Sequence, residues 1–115
     1  MVLFKMYTIK GKVIKGNGYG RKLGFSTVNL EKKINDFFPG IYAGKGILNK
    51  KTYTAAIVID EIGKIEAHLL GYKGNAYGKK VILKITKFLR KFIKFKNEAD
   101  LIKQIKNDIK LITIT

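Results

Sequence analysis

The sequence has no cysteine, one histidine and eight acidic residues among its 115 positions. Without cysteine there is no disulfide framework, no thiolate metal site and no cysteine nucleophile. The lone histidine, His68, has no second histidine or cysteine with which to hold a metal. No apolar run approaches the roughly 20 residues of a membrane helix, and the N-terminus has no signal-peptide pattern. We therefore expect a cytoplasmic protein without a membrane partner, folded as one domain over residues 1–115.

Arginine is also scarce, although the net charge is +16. A strongly basic chain often binds nucleic acid. However, Arg21 and Arg90 are the only arginines among 24 basic residues, and arginine supplies the bidentate contacts that phosphates and base edges favour. The lysines are spread over the whole chain, so a general lysine-rich composition is favoured over a nucleic-acid surface. The positive field would still attract an anionic small molecule such as a nucleotide.

Most of the chain alternates between apolar and polar residues, which is typical of strands with one buried face. We predict five strands from this pattern, with a hairpin turn at 49–51 and Val81, Leu83 and Ile85 on one face of the fifth strand. Lys87 is a candidate fourth member of that face. The predicted strands are Tyr7–Ile14, Gly40–Leu48, Thr52–Ile59, Ile62–Leu70 and Val81–Leu89. Short strands with brief turns indicate a mostly β, antiparallel sheet closed into a barrel.

The period changes near the C-terminus. Asn97 followed three residues later by Asp100 resembles a capping box at a helix start. Leu101, Ile102, Ile105 and Ile109 then share one face, with lysines mostly opposite. This predicts one amphipathic helix over about 98–111, laid on the barrel.

The segment Gly18–Leu30 combines glycines, Arg21 and two oxygen-bearing side chains. Glycine reaches positive φ and lets backbone N–H groups approach an anion, although a plain structural turn explains the same pattern. The segment lacks the spacing of a Walker motif. Thr27 and Asn29 point to one face if the segment is extended, where their oxygens suit Mg²⁺ and phosphate. A packing threonine and a turn-closing asparagine are the alternative.

Two further groups could take part in chemistry. Glu66 and His68 share one face of the fourth predicted strand, and a carboxylate there could serve as a general base. His68 could orient a neighbour or only pack. The loop 71–78 is rich in glycine and tyrosine, so it could stack on a planar ligand or cap the end of the barrel.

Together these pieces resemble the riboflavin kinase (flavokinase) family over roughly residues 8–110. The centre of the resemblance is Ser26-Thr27-Val28-Asn29, which is similar to the PTAN motif of that family. The other matching pieces are Gly11-Lys12-Val13, Gly16, Gly20–Gly24, Pro39–Gly44, Glu66–Leu69, Tyr77-Gly78, Leu89-Arg90, Phe95 and Leu101–Asp108.

The resemblance implies a six-stranded Greek-key barrel that forms FMN from riboflavin and ATP with Mg²⁺. The resemblance gives no reason to expect FAD formation, because it covers the kinase module and no adenylyltransferase domain. We expect a monomer. By analogy, Glu66 is the catalytic base, Thr27 and Asn29 bind metal, and Asn29 also contacts phosphates. The implied phosphate-binding residues are Gly16, Gly18, Gly20, Arg21 and Gly24, and the implied flavin-binding residues are Tyr77, Gly78 and Arg90.

Three positions depart from the family pattern. Ser26 replaces the proline of the motif, so φ is no longer restricted there. The turn at Asp60–Gly63 replaces a longer Gly-x-x-Pro-Thr stretch, and Phe92 stands where an acid is common. Two other interpretations stay open: a flavin- or nucleotide-binding module without turnover, and a small basic barrel that binds RNA or single-stranded DNA.

Overall fold

Six antiparallel strands close into a barrel in the computed structural model, which describes residues 7–16 and 18–114. The order around the barrel is β1-β2-β5-β4-β3-β6. Strands β3, β4 and β5 follow one another as neighbours and β6 returns beside β3, which is a Greek key. The predicted β-barrel with a C-terminal helix is confirmed. The elements are β1 (Tyr7–Ile14), α1 (Tyr19–Lys22), β2 (Val28–Lys33), β3 (Gly40–Leu48), β4 (Lys51–Ile59), β5 (Lys64–Leu69), β6 (Lys80–Lys91) and α2 (Glu98–Ile114).

Two elements did not follow from alternation alone. Strand β2 has three buried residues followed by three exposed ones, so it lacks the period of two. The four-residue helix α1 lies inside the glycine-rich segment and has no apolar periodicity. The start of β5 also differs from the prediction. Asp60 Oδ1 accepts hydrogen bonds from the N–H groups of Ile62 and Lys64, at 3.0 and 2.8 Å, so Ile62 belongs to the turn.

The core fills the inside of the barrel with inward-facing aliphatic side chains. On β6 the predicted face of Val81, Leu83 and Ile85 is fully buried. Lys87 does not continue this face and is exposed. The reason is a β-bulge, because Gly44 pairs with Ile85 while Ala43 pairs with Lys87, and the alternation shifts there by one residue.

Helix α2 begins where the capping pattern predicted. The backbone N–H of Asp100 donates to Asn97 Oδ1 at 2.9 Å, and Asn97 Nδ2 donates to Asp100 Oδ2 at 3.2 Å. The helix ends at Ile114, three residues beyond the predicted end. Ile105 and Ile109 on its apolar face are half-buried, because they face a cavity beside the barrel. Within residues 7–16 and 18–114, neither helix is long and apolar enough to cross a membrane.

The β3–β4 hairpin turns through two residues with left-handed backbones. Asn49 has φ 52° and Lys50 has φ 65°, as a type I′ turn requires. The predicted turn is confirmed, with Lys51 already part of β4. Asparagine tolerates this conformation, but lysine pays a steric cost for it.

We predict that Lys50→Gly stabilises the protein by about 0.5–1 kcal/mol, the relieved strain less the greater entropy of glycine in the unfolded chain. Urea unfolding would show a higher midpoint at an unchanged slope. The matched control is Lys51→Gly, which places glycine in a strand and should lower the midpoint. A lower midpoint for Lys50→Gly would refute this explanation.

Candidate functional site

The pairing of β2 with β5 brings three predicted site residues together. Val28 pairs with Ala67 and both side chains are buried in the barrel interior. The next pair, Asn29 and Glu66, therefore points to the outer face, since side chains alternate along a strand. Thr27 lies two residues before Asn29, and its hydroxyl donates a hydrogen bond to the Glu66 carboxylate. Thr27, Asn29 and Glu66 thus form one polar group on the outside of the barrel.

Glu66 is half-buried, and this position raises the pKa of its carboxyl group above the ordinary value. The main cause is loss of water around the charged form, to which repulsion from Asp60 adds. The Lys64 ammonium and the hydrogen bond from Thr27 act in the opposite direction. A carboxylate with a raised pKa is a stronger base than a solvated one, which suits proton abstraction.

The glycine-rich segment passes over this polar group. A Cβ atom at Gly16 would clash with the Asn29 amide, so any other residue there would displace that side chain. Asn29 is consequently 7% exposed. Gly18 and Gly24 have φ of 74° and 93°, and Gly20 lies within α1. The amides of Lys22 and Gly24 are bonded inside the segment, to the carbonyls of Gly18 and Arg21.

A cavity of about 480 Å³ opens beside Glu66, between the outer face of the barrel and α2. We call it the Glu66 cavity. Its floor consists of apolar strand residues, and α2 supplies one aliphatic wall. Three phenylalanines, Phe25, Phe92 and Phe95, add flat apolar surface. Polar groups of Thr27, Glu66, His68, Arg90, Lys94 and Asp108 also line it. A mainly apolar cavity of this size with few polar groups is typical of a site for a planar organic ligand.

A second cavity of about 270 Å³ lies on the other side of Thr27. We call it the Arg21 cavity. It is lined by Arg21, Ser26, Thr27 and the loop 72–77, which includes Lys73 and Tyr77. Thr27 lines both cavities and therefore lies between them, while Glu66 lines the Glu66 cavity alone. Two basic side chains and two tyrosines make this cavity suited to an anionic, partly aromatic ligand.

The three residues predicted to bind flavin lie in different places. Arg90 lines the Glu66 cavity, whereas Tyr77 lines the Arg21 cavity. Gly78 donates its N–H to the carbonyl of Val13 at 2.8 Å, beside the Arg21 cavity. The structure therefore does not bring Tyr77 and Gly78 together with Arg90.

Arg90 also holds α2 against the barrel. Its Nε and Nη2 atoms donate to the two carboxylate oxygens of Asp108 at 2.9 and 2.8 Å. Gln104 Nε2 donates to the same carboxylate at 3.0 Å. Asp108 is only 5% exposed, and the Arg90 guanidinium lies 5.9 Å from the centre of the Phe95 ring. This bidentate pair forms part of the cavity wall and uses two of the N–H donors of Arg90, while Nη1 donates to the carbonyl of Lys91 at 3.2 Å.

Sequence reasoning missed Asp108 and left His68 without a defined role. Asp108 is the only acid of residues 101–114, and a single acid on a basic helix is a signal that could have indicated a buried partner. His68 Nδ1 lies 2.7 Å from the carbonyl oxygen of Ser26. Phe25 and Phe92 carried no signal, because nothing in their local pattern shows that they meet across a cavity.

No group of three or more His, Asp or Glu side chains in the described part of the chain is arranged to hold a metal. Thr27 and Asn29 instead offer a hydroxyl and an amide oxygen beside the Glu66 carboxylate. Mg²⁺ commonly uses few protein ligands and completes its shell with phosphate oxygens and water. The donor set therefore fits a magnesium ion that arrives with phosphates, and does not fit a site built from protein ligands alone.

Comparison with known proteins identifies the family of the chain. The model of the family described as "Flavokinase: Riboflavin kinase" matches residues 3–114. The chain is 32% identical over 112 residues to the bifunctional riboflavin kinase/FMN adenylyltransferase of Listeria monocytogenes, covering 89% of this chain and 36% of that protein. It is 31% identical over 115 residues to the RNA-binding riboflavin kinase RibR of Bacillus subtilis, covering 93% and 50%. The chain thus spans half or less of the length of these two relatives.

A solved structure shares the fold. The riboflavin kinase from Trypanosoma brucei superposes with a TM-score of 0.74 at 19% identity, covering 96% of this chain and 79% of that one. At this identity the likeness establishes the barrel architecture alone.

We predict that Glu66→Gln raises the thermal stability at pH 7. The folded protein binds the Glu66 proton more tightly than the unfolded chain does, so ionisation costs stability as the pH rises through and above the unfolded pKa of about 4.3. Glutamine keeps the shape and the bond from Thr27 without the buried charge. The difference in Tm between variant and wild type should therefore shrink as the pH is lowered from 7 to 4.

The matched control is Glu31→Gln, because Glu31 is exposed on β2. This variant should show no growing Tm gap between pH 4 and 7. A Glu66→Gln variant that is less stable than wild type at pH 7 would contradict the role given to burial.

We predict that Asp108→Asn destabilises the protein by about 3 kcal/mol, because it leaves the Arg90 guanidinium without its anion in a largely dry position. The double variant Arg90→Met/Asp108→Leu should recover much of this loss, since it removes both charges. Urea unfolding of the wild type, single and double variants measures the difference. A double variant no more stable than Asp108→Asn would show that shape, rather than the unpaired charge, causes the loss.

Proposed function

Because the chain belongs to the riboflavin kinase family, we propose that it transfers the γ-phosphate of ATP to the ribityl 5′-hydroxyl of riboflavin, giving FMN and ADP. The observation that carries the proposal is that Thr27 lines both cavities, and we call its position their junction. One cavity is apolar and aromatic and includes Glu66, and the other is basic. Phosphoryl transfer requires this placement of an acceptor hydroxyl, a phosphate and a base at one point.

The flavin ring fits the Glu66 cavity in this proposal. Phe25, Phe92 and Phe95 offer ring faces or edges to a tricyclic aromatic system, and α2 closes one side. The ribityl chain then leads from the apolar end toward Glu66. Arg90 contributes mainly by fixing α2 through Asp108. It would therefore support the flavin indirectly, by holding the helix that forms one wall of the cavity.

The nucleotide occupies the Arg21 cavity. Arg21 and Lys73 supply positive charge there, and Gly16 lies against Asn29 of the polar group. We propose Tyr77 and Gly78 for the nucleotide side rather than the flavin side, because Tyr77 lines this cavity and Gly78 is bonded to Val13 in its wall. Gly18, Gly20 and Gly24 would let the segment adjust to phosphates.

Thr27 and Asn29 would hold Mg²⁺ together with phosphate oxygens. The ion, when bound, neutralises the charge that develops on the transferred phosphoryl group. Asn29 is kept in place by β2 on one side and by the close approach of Gly16 on the other. The Thr27 hydroxyl is oriented by its hydrogen bond to Glu66.

Glu66 acts as the general base. Its carboxylate accepts the proton of the 5′-hydroxyl as that oxygen attacks the γ-phosphorus, and the bond from the γ-phosphorus to the β–γ bridging oxygen breaks, releasing ADP. Burial makes the carboxylate a better proton acceptor than a solvated glutamate. The positive charge of the chain favours binding of the anionic nucleotide. Helix α2, as one wall of the Glu66 cavity, excludes water.

We propose a monomer as the working form, and the cytoplasm as its compartment, where ATP and Mg²⁺ are available.

We predict FMN formation from riboflavin, ATP and MgCl₂, measured by chromatography of the products. Glu66→Gln should lower kcat by about a hundredfold or more, the range for loss of a general base. Glu31→Gln should leave it unchanged, because Glu31 lies outside both cavities. Wild-type protein that forms no FMN with any nucleoside triphosphate would refute the kinase, and quenching of riboflavin fluorescence on titration would then identify a binding module.

A further inference from the structure

We propose that His68 is a positioning residue, which holds the segment Phe25–Thr27 against β5 so that Thr27 stays at the junction of the two cavities. The proposal extends the proposed function and rests on it for its kinetic consequences. His68 has no role in the proton transfer or in the metal site described above.

His68 and Glu66, both on β5, contact the same segment, residues 25–27. They are two residues apart on β5, and both side chains line the Glu66 cavity. Glu66 accepts a hydrogen bond from Thr27, while His68 Nδ1 lies 2.7 Å from the carbonyl oxygen of Ser26. A carbonyl can only accept, so Nδ1 carries the hydrogen and donates it. Two adjacent residues of the segment are thus bound to two side chains of one rigid strand.

A ring contact adds a third attachment point. The imidazole of His68 meets the ring of Phe25 edge to face, with 6.0 Å between ring centres. Phe25 is itself a wall of the Glu66 cavity. His68 therefore fixes both the apolar wall at residue 25 and the carbonyl at residue 26, immediately before Thr27.

The segment needs such an attachment because its backbone is weakly restrained. It follows Gly24, which has φ 93°, and precedes β2, which begins only at Val28. Ser26 lacks the ring by which a proline would fix φ. Without the bond from His68, rotation about Ser26 would move the Thr27 hydroxyl away from Glu66 and from the phosphate side.

The test compares three substitutions at one position. The amide nitrogen of asparagine is bonded to Cγ, as Nδ1 of histidine is. His68→Asn can therefore keep the hydrogen bond to the carbonyl of Ser26. Glutamine carries its amide one bond further, and phenylalanine keeps the ring without a donor. We expect His68→Phe to lower kcat about tenfold, the loss of one positioning hydrogen bond, with little change in riboflavin affinity measured by fluorescence quenching. His68→Asn should restore most of kcat, and His68→Gln should not.

Hydrogen exchange supplies a measurement independent of turnover. Peptides covering residues 25–28 should exchange faster in His68→Phe than in wild type and His68→Asn, while peptides of β3 and β4 stay unchanged. Wild-type protein without FMN formation would defeat the kinase and leave the exchange comparison to decide the role of His68. Equal exchange in wild type and His68→Phe, or equal recovery by His68→Gln and His68→Asn, would overturn the proposal.

Discussion

The register of β2 against β5 is the constraint on which the site depends. With Val28 opposite Ala67 inside the barrel, Asn29 and Glu66 must face outward together. A shift of one residue would turn either Glu66 into the apolar interior or Val28 into solvent, depending on which strand moved, at a large cost in burial. The hydrophobic core therefore holds the polar group in place, and the regular pairing breaks down only after Asn29. The same apolar contacts that stabilise the barrel determine which side chains meet outside it.

The ion pair of Arg90 and Asp108 holds α2 over the outer face of the barrel and so encloses the Glu66 cavity. The outer face of β3 and β4 would be an open apolar sheet if α2 did not stand over it. The bulges in β6 re-aim its C-terminal half so that Arg90, opposite Ile41, reaches the helix on that outer face. A buried bidentate pair defines geometry more than it adds stability, because desolvation offsets much of its attraction. The cavity beneath the helix explains why Leu101, Ile105 and Ile109 are only half-buried.

Glu66 shows how the site departs from what stability alone favours. A carboxylate half-removed from water costs free energy when ionised, and the cost is the source of its basicity. Thr27 and Lys64 reduce the cost without cancelling it, since the pKa stays raised. Gly16 is similar, because its backbone lies so close to the Asn29 amide that a side chain there would displace it. At both positions the residue suits the geometry of the site beside Thr27 and Asn29 rather than the stability of the barrel.

Local chemistry in the sequence determined much of this fold. Alternation predicted five of six strands, the Asn97–Asp100 cap predicted the start of α2, and Asn49 marked a turn, because each depends on neighbours within a few residues. Strand β2, the bulge that exposes Lys87 and the pair of Arg90 with Asp108 depend on partners far along the chain. The sequence could name Thr27, Asn29 and Glu66 as candidates. Only the closed barrel decided that they meet, and that Tyr77 lies apart from Arg90, because strand order and register arise from burying the whole core at once.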